Sequence, residues 1–260
     1  MKLITWNVNG IRAIAKKGFF EFLDTERPDI LCLQETKAHP DQIQPELLNP
    51  LGWISFWSSA FRPGYSGTAT YIRNSDESAA PKEILHGIGI QKFDSEGRFV
   101  VTDHGEFLLY NVYFPNGASG PERHLYKMEF LKKFTQHLAS EIKKGREIIL
   151  VGDYNIAPEE HDVYDPKALA KTSGFLPEER AWFKEFFSLG FVDLFRKLHP
   201  AEKERFTWWS YFERARLANR GWRIDFICST VGIAQRVKSC EILDEVMGSD
   251  HCPVMCELLP

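Results

Sequence analysis

Asp153 and Asn155 stand two positions apart, directly after the apolar run 148–151 and Gly152. The run predicts a buried strand, and in an extended segment that spacing puts an acid and an amide on one face. A carboxylate there can orient a water. A neutral amide can hold an anionic oxygen without the repulsion of a second carboxylate, so the pair suits hydrolysis of a phosphate ester. The ordinary alternative is an Asx turn at a strand end, and the pair taken alone favours it.

The same pattern recurs along the chain. Asn7 and Asn9 follow the apolar start of the sequence, Glu35 ends the run 30–34, and Tyr113 lies in the run 107–114. Asp225 falls within 222–228, and Asp250 and His251 precede 253–258. Each has a plain explanation as a turn, a solvated strand terminus or a core tyrosine. Their repetition at the same end of successive apolar strands points to one cleft at a sheet edge. Hard oxygen donors without clustered thiols suit Mg²⁺, with Mn²⁺ as a substitute, better than Zn²⁺. His251, Cys252 and Cys256 are too few for a zinc site. Ser249, Asp250 and His251 are sequence neighbours, which rarely form a triad, and the chain has no G-x-S-x-G elbow, Walker A loop or G-x-G-x-x-G.

Helical spacing is expected over 11–25, over 178–189 and over 121–144, where Leu125, Met128, Leu131, Phe134, Leu138 and Ile142 form one apolar face ended by Gly145. Strands are expected at 53–57 and 68–73 around a loop at 64–67, and at 98–102 and 107–114 as an antiparallel pair. Further strands are expected at 191–195, 205–211, 222–228, 235–242 and 253–258. The stretch after Pro158 reads as a long ordered loop at a site. No composition shift, repeat or low-complexity tract divides the chain, so 1–260 is expected to be one domain of α/β or layered α+β architecture.

A net charge of −4 excludes a uniformly basic nucleic-acid binder and leaves room for a local basic stripe. One candidate stripe is 206–223, where Trp208, Trp209 and Trp222 are interleaved with Arg214, Arg216, Arg220 and Arg223. Arginines contact phosphates and rings stack on bases, although a solvated loop beside core tryptophans reads the same way. Five scattered cysteines are expected to be reduced core thiols. The N-terminal apolar run is too short for a signal peptide and no segment is long enough to span a bilayer, so a cytoplasmic protein without membrane contact is expected.

Taken in order, the segments 6–13, 33–37, 64–67, 113–117, 152–155, 221–225 and 248–253 resemble the exonuclease III family of apurinic/apyrimidinic endonucleases over nearly the whole chain. The resemblance implies an α/β, four-layer sandwich of two packed mixed β-sheets flanked by helices. It implies Glu35 as principal metal ligand with Asn7 and Asp250 in the metal and phosphate network. Asp153 would act on the attacking water, Asn155 and His251 on the phosphate, Asp225 on His251, and Tyr113 on the phosphate or the leaving group. Trp208, Trp222 and Ile224 match the pocket for a flipped abasic sugar, and Arg12, Lys37 and Tyr65 match DNA-facing positions. Two departures stand out. Asn9 occupies a position where some members have Asp, and Ser119 one where mammalian relatives have an arginine reaching across the DNA.

The activity so implied is Mg²⁺-dependent hydrolysis 5′ to abasic sites in double-stranded DNA by a monomer. Work on blocked 3′ ends, as 3′-phosphodiesterase, 3′-phosphatase and 3′→5′ exonuclease, would accompany it. Alternatives are a phosphoesterase for inositol phosphates or phospholipids, and incision at uracil or other altered bases.

Overall fold

Strand β1 (Lys2–Asn7) alternates in a way its composition hides. Leu3 packs into one apolar cluster while Ile4 and Trp6 pack into another on the opposite face. A sheet covered on both faces buries every position, so its strands read as continuous apolar runs rather than as alternation. The computed structural model describes residues 1–74 and 80–260, and among these the strands form two six-stranded sheets.

The first sheet contains β1, β2 (Ile30–Gln34), β3 (Trp53–Ser58), β4 (Thr68–Arg73), β11 (Val237–Ile242) and β12 (Val254–Leu258), in the order β11-β12-β1-β2-β4-β3. The second contains β5 (Glu83–Leu85), β6 (Phe99–Asp103), β7 (Leu108–Tyr113), β8 (Ile148–Asp153), β9 (Phe191–Asp193) and β10 (Asp225–Thr230), in the order β5-β6-β7-β8-β10-β9. Each has a parallel pair near its centre, β1 with β2 and β7 with β8, and all other pairings are antiparallel. Leu3, Cys32, Ile149, Val151, Ile227 and Val254 fill the space between the sheets.

Helices α1 (Ile11–Ile14) and α2 (Phe19–Glu26) cover the outer face of the first sheet, and the short α3 (Pro45–Leu48) adds Leu47 there. The second sheet is covered by α4 (Gln91–Asp94), α5 (Pro121–Lys143) and α6 (Pro177–Ser188). The short helices α7 (Leu194–Leu198) and α8 (Val231–Ala234) close the inter-sheet core. The result is the expected α/β order of helix, sheet, sheet and helix. The five cysteines are free and buried. Among the described residues no helix is long and apolar enough to cross a membrane.

Several local expectations change. The helix expected over 11–25 is two, because Gly18 takes φ 96 and restarts the chain as the cap of α2. The strand expected over 191–195 stops at Asp193, whose side chain accepts from the Arg196 amide at 3.1 Å and starts α7. Residues 205–211 form no strand, only isolated pairings of Trp208 with Trp222 and His251. The apolar face of α5 is rotated from the one expected. Leu125 is 68% exposed and Lys127 is fully buried, on the face shared by Phe130, Leu131, Phe134 and Leu138.

Candidate active site

Both parallel pairs end at the same edge of the sandwich. Asn7 is opposite Gln34 at the ends of β1 and β2, Tyr113 is opposite Asp153 at the ends of β7 and β8, and Asp225 at the start of β10 is opposite Asp153. Gly152 is required by close backbone approach. Its φ is 140, and a Cβ there would lie 1.9 Å from the Val112 carbonyl oxygen.

The chain leaves β2 and β8 through left-handed residues, Glu35 with φ 50 and Asn155 with φ 52. Asn155 is therefore beyond the strand, and extended spacing is not what brings it beside Asp153. Its amide donates to Asp153 Oδ1 at 2.8 Å, an Asx turn. The turn and the chemical pairing suggested by the sequence are one structure.

Asn7 ties two carboxylates together, its Nδ2 donating to Glu35 Oε1 at 3.1 Å and to Asp153 Oδ2 at 2.9 Å. Its Oδ1 accepts from the Asn9 amide. The Tyr113 hydroxyl also donates to Glu35 Oε1, at 2.7 Å, and Lys37 Nζ lies 2.7 Å from Glu35 Oε2. Lys37 also donates to Asn9 Oδ1, and Asn9 Nδ2 donates to Asp250 Oδ1 at 2.9 Å. Trp208 Nε1 completes this chain by donating to Asp250 Oδ2 at 3.1 Å. On the far side His251 Nδ1 is 2.9 Å from Asp225 Oδ2, and its Nε2 is 3.9 Å from Asp153 Oδ2. Asn155 Nδ2 donates to Asp153 Oδ2 and to the Phe114 carbonyl, while Asn116 Nδ2 donates to Asn155 Oδ1.

Burial, reinforced by the facing Asp225 carboxylate, pushes Asp153 up to about 7. Burial alone would lower His251, but Asp225 beside it outweighs that and raises it to about 10. At neutral pH the ring is thus cationic, with both nitrogens as donors. Burial opposes ionisation of Glu35 as well, and Lys37 nonetheless holds it below the usual carboxylate range. Tyr113 is pushed well up by burial and by the Glu35 charge, so its hydroxyl stays protonated.

Asp153, Asp225 and His251 bring ligand atoms within 4.8 Å of one another. Within that trio the one hydrogen bond joins His251 Nδ1 to Asp225 Oδ2, and Asp225 Oδ1 is buried without a partner among the described residues. Glu35 and Asp250 offer only oxygen donors, the type a hard divalent cation takes, and Glu35 here meets the Lys37 ammonium.

A cavity of about 400 Å³ opens over these groups. Glu35, Asp153, Asn155, Asp250 and His251 form its polar floor, and Trp208, Trp222 and Ile224 an apolar wall. The other residues expected to face DNA are placed differently from one another. Arg12 is exposed in α1. Lys37 points into the site, and the Tyr65 hydroxyl accepts from Arg98 and Arg123. The basic stripe is shorter than the sequence suggests. Arg223 is buried between Asp162 and Asp193, each 2.7 Å away, and Arg216 packs over the buried Trp209. Arg214 and Arg220 are exposed, and so is Ser119.

Asn116, Lys127 and Glu179, all in contact with Asn155 or its supporting loop, were not singled out by sequence reasoning. The signal for Lys127 was available, because 127, 130, 131, 134 and 138 follow helical spacing with a charge at the first position. Gly174, Ser173 and Thr172 also line the cavity, from the loop after Pro158.

The family model for the endonuclease/exonuclease/phosphatase family matches residues 4–251. The exodeoxyribonuclease of Bacillus subtilis is 38% identical over 98% of this chain and 98% of its own. The DNA-(apurinic or apyrimidinic site) endonuclease of Dictyostelium discoideum is 36% identical over 98% of this chain and 69% of its own. Among solved structures, the 3′ phosphatase NExo from Neisseria bound to a product DNA hairpin superposes with a TM-score of 0.90 at 29% identity, covering 100% of both chains. With its two-sheet sandwich and the acid, amide and histidine groups at one edge of it, the chain belongs to the endonuclease/exonuclease/phosphatase family.

Proposed function

We propose that the chain is a metal-dependent DNA repair nuclease that hydrolyses the phosphodiester 5′ to an abasic site, with 3′-phosphodiesterase, 3′-phosphatase and 3′→5′ exonuclease activities alongside. Residues 1–260 act as one catalytic domain. The observation that carries the reading is the joining of a floor of carboxylate, amide and histidine groups to an aromatic wall in one cavity. The relatives named as exodeoxyribonuclease and apurinic endonuclease, and the DNA-bound Neisseria structure, support DNA as the substrate.

Asp153 accepts the proton of the attacking water, with Asn7 and the Asn155 amide fixing its two oxygens. Burial has already raised its basicity toward neutral pH. Cationic His251, held by Asp225, turns its Nε2–H toward a phosphate oxygen and stabilises the charge that builds there. Asn155 adds an uncharged donor to the same phosphate when its Nδ2 exchanges the 3.2 Å bond to Asp153 Oδ2 for a phosphate oxygen. Tyr113, protonated and 2.7 Å from Glu35, supplies a hydroxyl beside the leaving oxygen.

Glu35 would hold the divalent cation, with Asp250 and Asn7 completing and orienting the set. When bound, the ion, Mg²⁺ with Mn²⁺ as substitute, supplies Lewis-acid stabilisation of the phosphate and leaving oxygen. Trp208, Trp222 and Ile224 form a slot for a sugar without its base, and an intact nucleotide would have to displace the two indole rings. Five buried, reduced thiols support a reducing, cytoplasmic compartment.

The test is a duplex carrying one abasic analogue. Incision 5′ to the lesion with Mg²⁺, abolished by EDTA, is expected. Faster release of phosphate from inositol polyphosphates than cutting of DNA would overturn the assignment.

A further inference from the structure

Lys127 and Glu179 form an ion pair at 2.5 Å in which both side chains are fully buried. Two charges taken out of water are costly, and such a pair commonly contributes little to stability compared with an apolar pair of the same volume. Its hydrogen bonds point to another use. Lys127 Nζ, besides meeting Glu179 Oε1, donates to the carbonyl oxygen of Asn155 at 2.9 Å. Glu179 Oε2 accepts from the backbone amides of Gly174 at 2.6 Å and Leu176 at 3.0 Å. Gly174 in turn accepts through its carbonyl from the Ala157 amide at 2.8 Å. The pair thus grips the turn that carries Asn155 and the loop that lines the cavity.

Asn155 needs such a grip. It is a left-handed non-glycine residue with φ 52, a conformation asparagine tolerates better than most side chains but keeps in one geometry only through its contacts. Its amide is held by Asp153, its side-chain oxygen by Asn116, and its side-chain nitrogen by Asp153 and the Phe114 carbonyl. Lys127 holds the remaining polar atom, the carbonyl. The packing behind it is tight. A Cβ on Gly174 would lie 3.1 Å from that same carbonyl oxygen and 3.2 Å from the Trp222 ring, so loop, turn and pocket wall are set by one contact region.

We infer that Lys127 and Glu179 are positioning residues that lock the Asn155 turn and the 172–176 loop into one geometry, coupling the phosphate-holding amide to the sugar pocket. The inference rests on the assignment of Asn155 to the phosphate. The clamp itself can be read without turnover.

Three variants test it. Lys127→Met is expected to lower kcat on abasic duplex about 10²-fold while KM stays within about threefold, because the amide is misplaced and not removed. Lys127→Arg, which keeps charge and donors, is expected to recover most of the loss. The double variant Lys127→Met with Glu179→Leu replaces the pair by apolar volume. It is expected to melt near the wild-type temperature yet keep the kcat defect, with exchange at the Gly174 and Leu176 amides faster by about tenfold. A double variant with native kcat, or with unchanged exchange at those amides, overturns the inference. If the single variant does not fold, the double variant and Lys127→Arg decide alone. Failure of the wild-type enzyme to cut abasic DNA would overturn the functional reading, while the exchange result would still decide the clamp.

Discussion

Asp153 and Asp225 are direct cross-strand neighbours in β8 and β10, yet only Asp225 is hydrogen-bonded to His251, at 2.9 Å. Two facing buried carboxylates repel, and the imidazolium beside them relieves that repulsion unequally. One acid becomes the fixed partner of a cation. The other is left as a raised, basic carboxylate facing the cavity.

Asp225→Asn keeps the shape and removes the charge. His251 then loses the largest of the charges that offset its burial, keeping only Asp153 and Asp250, so the cationic ring with its second donor is disfavoured. The expected result is a fall of about 10²–10³-fold in the single-turnover cleavage rate. Affinity for uncleaved abasic duplex should change by no more than about threefold. Loss of binding in proportion to rate would place Asp225 in substrate binding instead.

Trp208→Phe keeps an aromatic ring in the wall but deletes the Nε1 bond to Asp250. One hydrogen bond to a charged carboxylate is worth about 1.5–3 kcal/mol net, so kcat/KM should drop roughly tenfold or more. Preference for abasic over intact duplex should persist, since the ring remains. Trp208→Ala should lose both, which competition between the two duplexes would measure.

Glu96 links the Tyr65 region to the sandwich through Arg98 and Arg123. Burial alone would raise its carboxyl, but the Arg123 hydrogen bond and the Arg98 charge outweigh that and hold it down at about 2. A depressed acid stabilises the fold fully above its unfolded value near 4.5, and that contribution fades as pH falls from there toward about 2. Above pH 5 the wild type should therefore exceed Glu96→Gln by about 2 kcal/mol in urea unfolding. The two should converge in acid. A gap that widens in acid would contradict the assignment.

Strand-end chemistry was legible because buried strands announce themselves as apolar runs, and the polar residue that ends each run is visible. Asn7, Glu35 and Asp153 stand out in this way, Tyr113 and Asp225 lie inside the apolar runs expected there, and the structure puts Asn7, Tyr113, Asp153 and Asp225 at one edge with Glu35 following β2. What local pattern could not show was tertiary compensation. Helical spacing puts Lys127 on the apolar face, but its partner Glu179 is 52 positions away and no local pattern pairs them. Arg223 reads as part of a basic stripe because its partners Asp162 and Asp193 are distant in sequence. The segment 205–211 has strand composition, but it lies at the cavity rim where only Trp208 finds pairing partners. For the two charged residues, burial and charge pairing overrode local pattern.

The central claim is that Asp153 activates the water. Asp153→Asn preserves a hydrogen-bonding side chain of the same size and removes the base. Under single-turnover conditions with Mg²⁺ and an abasic duplex, cleavage should slow by about 10³-fold or more, with duplex affinity retained. Cleavage within tenfold of wild type would contradict the account.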